Sequence, residues 1–235
     1  MNHEPPLLSI ILPVRNQCRE LTLFLFELHR HFENRNETFE IMVIDDGSND
    51  QTSFVVEKLS HEFPSIMLLT HTEPLGLGIA AREGFEKARG NFSILTRPSL
   101  GFSGLEELLG QLTYSREDIL LGKVRLQSSL WPPHLFLFIL WKLSDWFLSI
   151  FVYGGVSARL SPIIFSRETG KETGKRGRVR HGGYEFELLY LAQRFKKKIT
   201  LRSLSQPFMI FTFPIFYFLT VVKELIRSFF RFIRH

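Results

Sequence analysis

Two adjacent carboxylates at the end of an apolar run are the first residues in this chain that could do chemistry. In VIDDGS, Asp45 and Asp46 follow Val43-Ile44 and precede Gly47-Ser48. A carboxylate pair closing a strand can accept hydrogen bonds from a nucleoside base and ribose, and it can equally cap a turn. A second cluster, Gly76 to Ala81 (GLGIAA), satisfies the dinucleotide pattern G-x-G-x-x-A. That pattern belongs in the first strand-to-helix turn. Here HTEP separates it from its strand in a later unit, which argues against a dehydrogenase. A third stretch, SILTRPSLGF, opens like a buried strand and stops on Thr96-Arg97-Pro98-Ser99. Finally, Gly170 to Gly183 is glycine-rich and basic and reads as a mobile loop. Its cations, Lys171 to Arg180, could clamp a phosphate or could be an ordinary solvated surface.

The elements around these residues alternate. LLSIILPV, FEIMVIDD, SIMLLT and FSILT are short, β-branched apolar runs and predict buried strands. Between them, Leu21, Phe24, Leu25 and Leu28 repeat at helical spacing. TSFVVEKLSHEF predicts a helix capped by Thr52 or Ser53, and GIAAREGFEKARG one that stops at Gly90. Strands alternating with helices of this length predict an α/β fold, a doubly wound and mostly parallel sheet with helices on both faces. Ligands of such sheets bind beyond the carboxyl ends of the strands, so Asp45, Asp46 and the Arg97 turn should share one crevice.

Composition narrows the setting. The chain has 235 residues, net charge +5 and a single cysteine, Cys18, so an internal disulfide framework is excluded. Met1 to Pro6 is polar and no signal peptide follows it, so the sequons at Asn36 and Asn91 read as chance matches. Nucleic acid is disfavoured as a partner, because no recognition motif accompanies the charge.

The second half is rich in phenylalanine. Residues 135–153 are almost wholly apolar, with Lys142, Asp145 and Ser149 in one narrow helical stripe, the pattern of a core helix or an interfacial one. YEFELLYLAQRFKKK predicts a helix with Phe186, Leu189 and Tyr190 on one side. Ser203 to Val222 carries no charge, yet its dense part, Phe208 to Val222, would extend about 22 Å as a helix against roughly 30 Å of hydrocarbon. Lys223, Arg227, Arg231 and Arg234 then interleave with apolar residues, as in a basic amphipathic helix at an anionic membrane face.

Taken together, SIILPVRN, FEIMVIDDGSND, GLGIAAREGFEKARGNFSIL and YEFELLYLAQRFKKKI resemble, in order and spacing, the family 2 glycosyltransferases of the GT-A fold. Within that family the chain is most similar to the polyprenyl- or dolichyl-phosphate sugar transferases, from about Leu7 to Phe208. The resemblance implies a GT-A-like domain over residues 1–206 and a membrane-associating tail over 207–235. It implies a nucleotide-sugar donor, a lipid-phosphate acceptor and a divalent metal, Mg2+ or Mn2+. It places Pro13, Val14, Arg15 and Asn16 beside the base, Asp45 and Asp46 on base and ribose, and Gly76 and Gly78 in the loop beside the donor. Glu185 falls where the family has an acidic residue near the acceptor, with Glu187 in the same helix. Gly122-Lys123-Val124-Arg125 approximates a glycine-serine-arginine triplet, which makes Lys123 and Arg125 candidate phosphate contacts alongside Arg176, Arg178 and Arg180.

The family's metal-binding Asp-x-Asp falls on Arg97-Pro98-Ser99, so both aspartates are missing. A hard cation needs anionic oxygens, and a guanidinium repels it. Three readings follow. Arg97, with Ser99 beside it, neutralises the donor diphosphate in place of the metal, with Glu185 as the other candidate catalytic group. Or the metal acids come from Asp45, Asp46 or Asp118. Or the chain is a catalytically inactive scaffold that keeps the fold, the membrane face and a protein partner. In each case the expected location is the cytoplasmic face of a membrane, peripheral or tail-anchored.

Overall fold

The computed structural model describes residues 7–35, 37–111, 118–127, 162–180 and 184–209. The helix expected at 135–153 and most of the tail at 207–235 lie outside the described residues. Seven strands form one sheet: β1 (Leu8–Val14), β2 (Phe39–Asp45), β3 (Ile66–Thr70), β4 (Phe92–Leu95), β5 (Ile119–Gln127), β6 (Ile163–Ser166) and β7 (Ile199–Met209). Their order is β3-β2-β1-β4-β6-β5-β7. All neighbours run parallel except β6, which is antiparallel to both β4 and β5. Among the described residues there are six helices: α1 (Cys18–Asn34), α2 (Thr52–Glu62), α3 (Leu77–Lys87), α4 (Ser103–Gly110), α5 (Arg167–Arg176) and α6 (Tyr184–Arg194).

The strands are apolar on both faces because helices cover both. Leu8, Ile10, Leu12 and Val14 of β1 pack with Leu21, Phe24, Leu25 and Leu28 of α1 on one side. Ile11, with Met42 and Ile44 of β2, packs with Ala80, Ala81 and Phe85 of α3 and Leu188 and Leu189 of α6 on the other. At the amino edge of the sheet, Glu40 is buried and held by Ser9 Oγ at 2.6 Å and by the Arg89 side chain, Nε at 2.8 Å. The Gly90 N–H donates to Ser9 Oγ at 2.7 Å. The ARG segment is therefore an anchor, at the edge opposite to the strands' carboxyl ends.

Two expectations need correction. Residues 170–176 belong to helix α5 and not to a loop. Gly170 and Gly174 lie one turn apart against Phe85, whose ring and Cβ would be 2.9 Å from a Cβ at either position. These glycines allow close helix packing; they do not break the helix. The cap of α2 is neither Thr52 nor Ser53. Asp50 accepts the Thr52 N–H at 3.0 Å and also the Cys18 N–H at 3.3 Å, so one carboxylate serves the starts of α1 and α2. On the far side, β7 runs through Met209, so residues 207–209 continue the sheet. No helix among the described residues is long and apolar enough to cross a membrane.

Candidate active site

The carboxyl ends of β1, β2 and β4 lie side by side, since β1 pairs in parallel with both others. Asp45 ends β2 opposite Val14 and is fully buried. Its carboxylate accepts the Ser48 N–H at 3.1 Å and the hydroxyls of Ser48 and Ser53. Asp46, 1% exposed, accepts the Leu75 N–H at 2.8 Å and the Gly76 N–H at 2.9 Å, and meets His71 Nδ1 at 2.9 Å. The two acids thus tie the strand end to two different loops. Gly47, at φ 64°, lets those loops touch: a Cβ there would stand 2.8 Å from Glu73 C and Pro74 N.

His71 and Glu83, which no motif in the sequence points to, also meet at this edge beside Asp46. His71 Nε2 meets Glu83 Oε2 at 2.9 Å, so the imidazole bridges the end of β2 to helix α3. Burial pulls its pKa down, but the hydrogen bonds and charges of Asp46 and Glu83 outweigh burial and raise it above the usual value. The available signal was a histidine directly after a strand that pairs with the DD strand.

The G-x-G motif is also explained. Gly76 has φ 112°, a conformation that favours glycine, and gives its N–H to Asp46. Gly78 gives its N–H to Arg180 O at 2.8 Å. A Cβ at Gly78 would stand 2.1 Å from Val179 O. Both N–H groups are spent on protein acceptors, which leaves neither to cradle a dinucleotide. The segment 177–180 lies instead across the start of α3. Glu187, 8% exposed, fixes it by accepting the N–H groups of Arg178 (2.8 Å) and Val179 (2.8 Å), and the Arg82 guanidinium donates to Gly177 O.

The other expected residues are placed as follows. Pro13 and Val14 are buried in β1, while Arg15 and Asn16 are exposed at its end. Asn16, at φ 52°, donates its N–H to Ser48 Oγ and accepts the Asn49 N–H, both at 2.8 Å. Arg97 follows β4. Its guanidinium pairs with Glu185 in the first turn of α6 and lies 5.7 Å from the Tyr184 ring centre. Ser99 is exposed in the short 3-10 turn that follows. Arg178 and Arg180 are exposed on the segment across α3, whereas Arg176 stacks over the Phe195 ring at 4.7 Å. Lys123 and Arg125 sit on β5 beyond Leu121, which is level with Leu95 through Ile163, and so at the same edge as the crevice. Asp118 precedes β5, at the opposite edge, where it accepts the Lys198 N–H at 2.8 Å. It cannot supply a ligand to the crevice.

Residues 9–96 match the model of glycosyl transferase family 2. The matched segment holds β1 to β4, both aspartates and the glycine loop. Over that segment the chain is similar to glycosyl transferase family 2. It is 28% identical over 207 residues to a dolichyl-phosphate beta-glucosyltransferase of Trichomonas vaginalis, covering 82% of this chain and 63% of that protein. It is 26% identical over 211 residues to the dolichyl-phosphate beta-glucosyltransferase of Homo sapiens, covering 80% and 64%. The chain therefore spans less than two thirds of these curated relatives. Among solved structures it superposes on a Pyrobaculum calidifontis mannosyltransferase in complex with GDP-Man and Mn2+, with TM-score 0.66 and 15% identity over 99% of this chain and 65% of that one. It also superposes on a Mycobacterium tuberculosis glucosyl-3-phosphoglycerate synthase with Mn2+, UDP and phosphoglyceric acid, with TM-score 0.61 and 15% identity over 94% and 78%. These likenesses show the GT-A fold: a Rossmann-like, mostly parallel seven-stranded sheet flanked by helices.

The described residues do not fit the metal found in those complexes. At the turn after β4 they offer a guanidinium already paired with a carboxylate, a proline and one hydroxyl. Asp45 and Asp46 are buried and engaged by protein donors. No group of three or more metal-ligating side chains occurs among the described residues.

Proposed function

We propose that this chain transfers a sugar from a nucleotide-sugar donor to a lipid phosphate of the polyprenyl type at a membrane surface. One observation carries the reading. The DDGS turn, the glycine loop and the Arg97–Glu185 pair all lie at one edge of the sheet, the carboxyl ends of β1, β2 and β4, in a chain whose residues 9–96 resemble glycosyl transferase family 2. The similarity to dolichyl-phosphate glucosyltransferases supports the acceptor class. The apolar and basic stretch at 210–235 supports a peripheral or tail-anchored position at the cytoplasmic face.

In this reading the exposed rim at Arg15 and Asn16 borders the base, and the Asp45–Asp46 turn fixes the floor on which base and ribose rest. An oxygen of the acceptor phosphate forms the new bond to the anomeric carbon as the bond to the donor diphosphate breaks. The nucleoside diphosphate leaves with the electron pair. An ionised phosphate needs no strong general base. The main demand on the protein is to stabilise the charge of the leaving diphosphate.

The neutralisation of Arg97 by Glu185 favours a second reading, a binding subunit without transfer chemistry. The two separate in one assay. Full-length protein in vesicles containing polyprenyl phosphate is given radiolabelled UDP- or GDP-sugars, and the organic-extractable label is counted. Label above that of an Asp45→Ala control supports the transferase. No label with any donor supports the binding subunit.

A further inference from the structure

We infer that Arg97 is a metal-replacing contact for the donor diphosphate, and that Glu185 is a resident counter-ion which the diphosphate displaces. The inference rests on the transferase reading and names how its donor site is neutralised.

Arg97 occupies the turn at the carboxyl end of β4, one step from the carboxylate turn through β1. Its side chain is 17% exposed, and that of Glu185 is 16% exposed. A guanidinium so far removed from water is costly without an anion, and Glu185 supplies one. The guanidinium also lies near the Tyr184 ring, whose face favours a cation. A planar, permanently charged fork suits two phosphate oxygens as well as it suits one carboxylate.

The exchange does not strand the released acid. Glu185 lies in the first turn of α6, where the helix dipole supports a carboxylate without Arg97. One residue before Arg97, Thr96 Oγ1 is buried and has no hydrogen-bond partner among the described residues, so the strand end holds unspent polar capacity. Arg178 and Arg180 are exposed cations on the segment crossing α3. Competition from Glu185 should weaken donor binding in the free protein. Donor binding in turn frees a carboxylate at the start of α6, the region that the family resemblance assigns to the acceptor.

The test is calorimetric titration of the full chain with UDP and GDP, in EDTA and in Mn2+. Wild type, Glu185→Gln, Arg97→Lys and Arg97→Ala are compared. We expect binding in EDTA, unchanged by Mn2+. Glu185→Gln should bind about tenfold or more tightly, because the competing charge is gone. Arg97→Ala should bind about tenfold to a hundredfold more weakly, with Arg97→Lys between, while a thermal melt shows that each variant is folded. Binding that requires Mn2+, or affinity indifferent to both Arg97→Ala and Glu185→Gln, overturns the inference and leaves the transferase reading standing. No nucleotide binding by any variant in either condition overturns both.

Discussion

Substituting Gly78 by alanine sets two effects of opposite sign against each other. Gly78 lies in the first turn of α3, where alanine should gain up to about 1 kcal/mol over glycine in helix propensity. Against this, the new Cβ would stand 2.1 Å from Val179 O and 3.0 Å from Tyr184 Cβ. A backbone carbonyl cannot swing aside as a side-chain tip can, so the segment 177–180 has to move away by roughly 1 Å. Overpacking of this kind costs about 1–3 kcal/mol. The same movement strains the Gly78 N–H bond to Arg180 O and the Glu187 carboxylate's hold on Arg178 and Val179, worth about 1 kcal/mol or more again. The clash should win by about 1–3 kcal/mol, which lowers Tm by roughly 2–10 °C in a chain of this size. Gly110→Ala is the matched control, since a Cβ there meets nothing within 4 Å among the described residues, and it should be neutral or slightly stabilising. The assay is thermal unfolding followed by circular dichroism on both variants. A Gly78→Ala protein as stable as wild type would refute the claim that the basic segment lies on α3.

Three further outcomes follow from the same contacts. Arg89→Ala leaves the buried Glu40 carboxylate with only Ser9 Oγ and the residue 89 N–H, and should cost about 1.5–3 kcal/mol in urea unfolding; a loss under 0.5 kcal/mol would contradict the anchor. Ser53→Ala removes one donor from the fully buried Asp45 and should destabilise by about 1–3 kcal/mol, measured the same way. His71 has a raised pKa in the folded chain, so its contribution to stability is fully present below the unfolded value near 6.5 and is lost as pH rises through the higher folded value. Stability measured from pH 6 upward should therefore fall more in wild type than in His71→Gln, and parallel curves would refute the bridge between Asp46 and Glu83.

The first four strands and three helices were legible because each is a short apolar run or a helical repeat with one partner face. Both aspartates and both glycines stood out in the sequence, but not what they hold. Asp46 proves to hold the glycine loop through Gly76, which no spacing rule reveals, since the donor is a backbone N–H about thirty residues away. His71 escaped notice for the same reason: its partners lie 25 residues before it and 12 after it. The α5 helix was misread because Gly170 and Gly174, taken one at a time, signal a break. As an i, i+4 pair they leave room for Phe85 to pack closely against the helix. The antiparallel β6 follows a long stretch whose pattern did not announce a reversal, so its orientation emerged only from pairing. That the turn after β4 carries Arg97-Pro98-Ser99 and no acid was plain in the sequence, whereas the pairing of Arg97 with Glu185 required two segments far apart in sequence to be brought together.

Hydrogen–deuterium exchange of the full chain, with and without saturating UDP or GDP in EDTA, asks directly whether the crevice is the nucleotide site. We expect one of the two nucleotides to slow exchange at residues 15–16, 46–48, 75–78 and 97–99, the loops that converge at the carboxyl ends of β1, β2 and β4, while the amino edge around Glu40 and Arg89 stays unchanged. Protection confined to other segments, or none with either nucleotide, would contradict a donor site at this crevice.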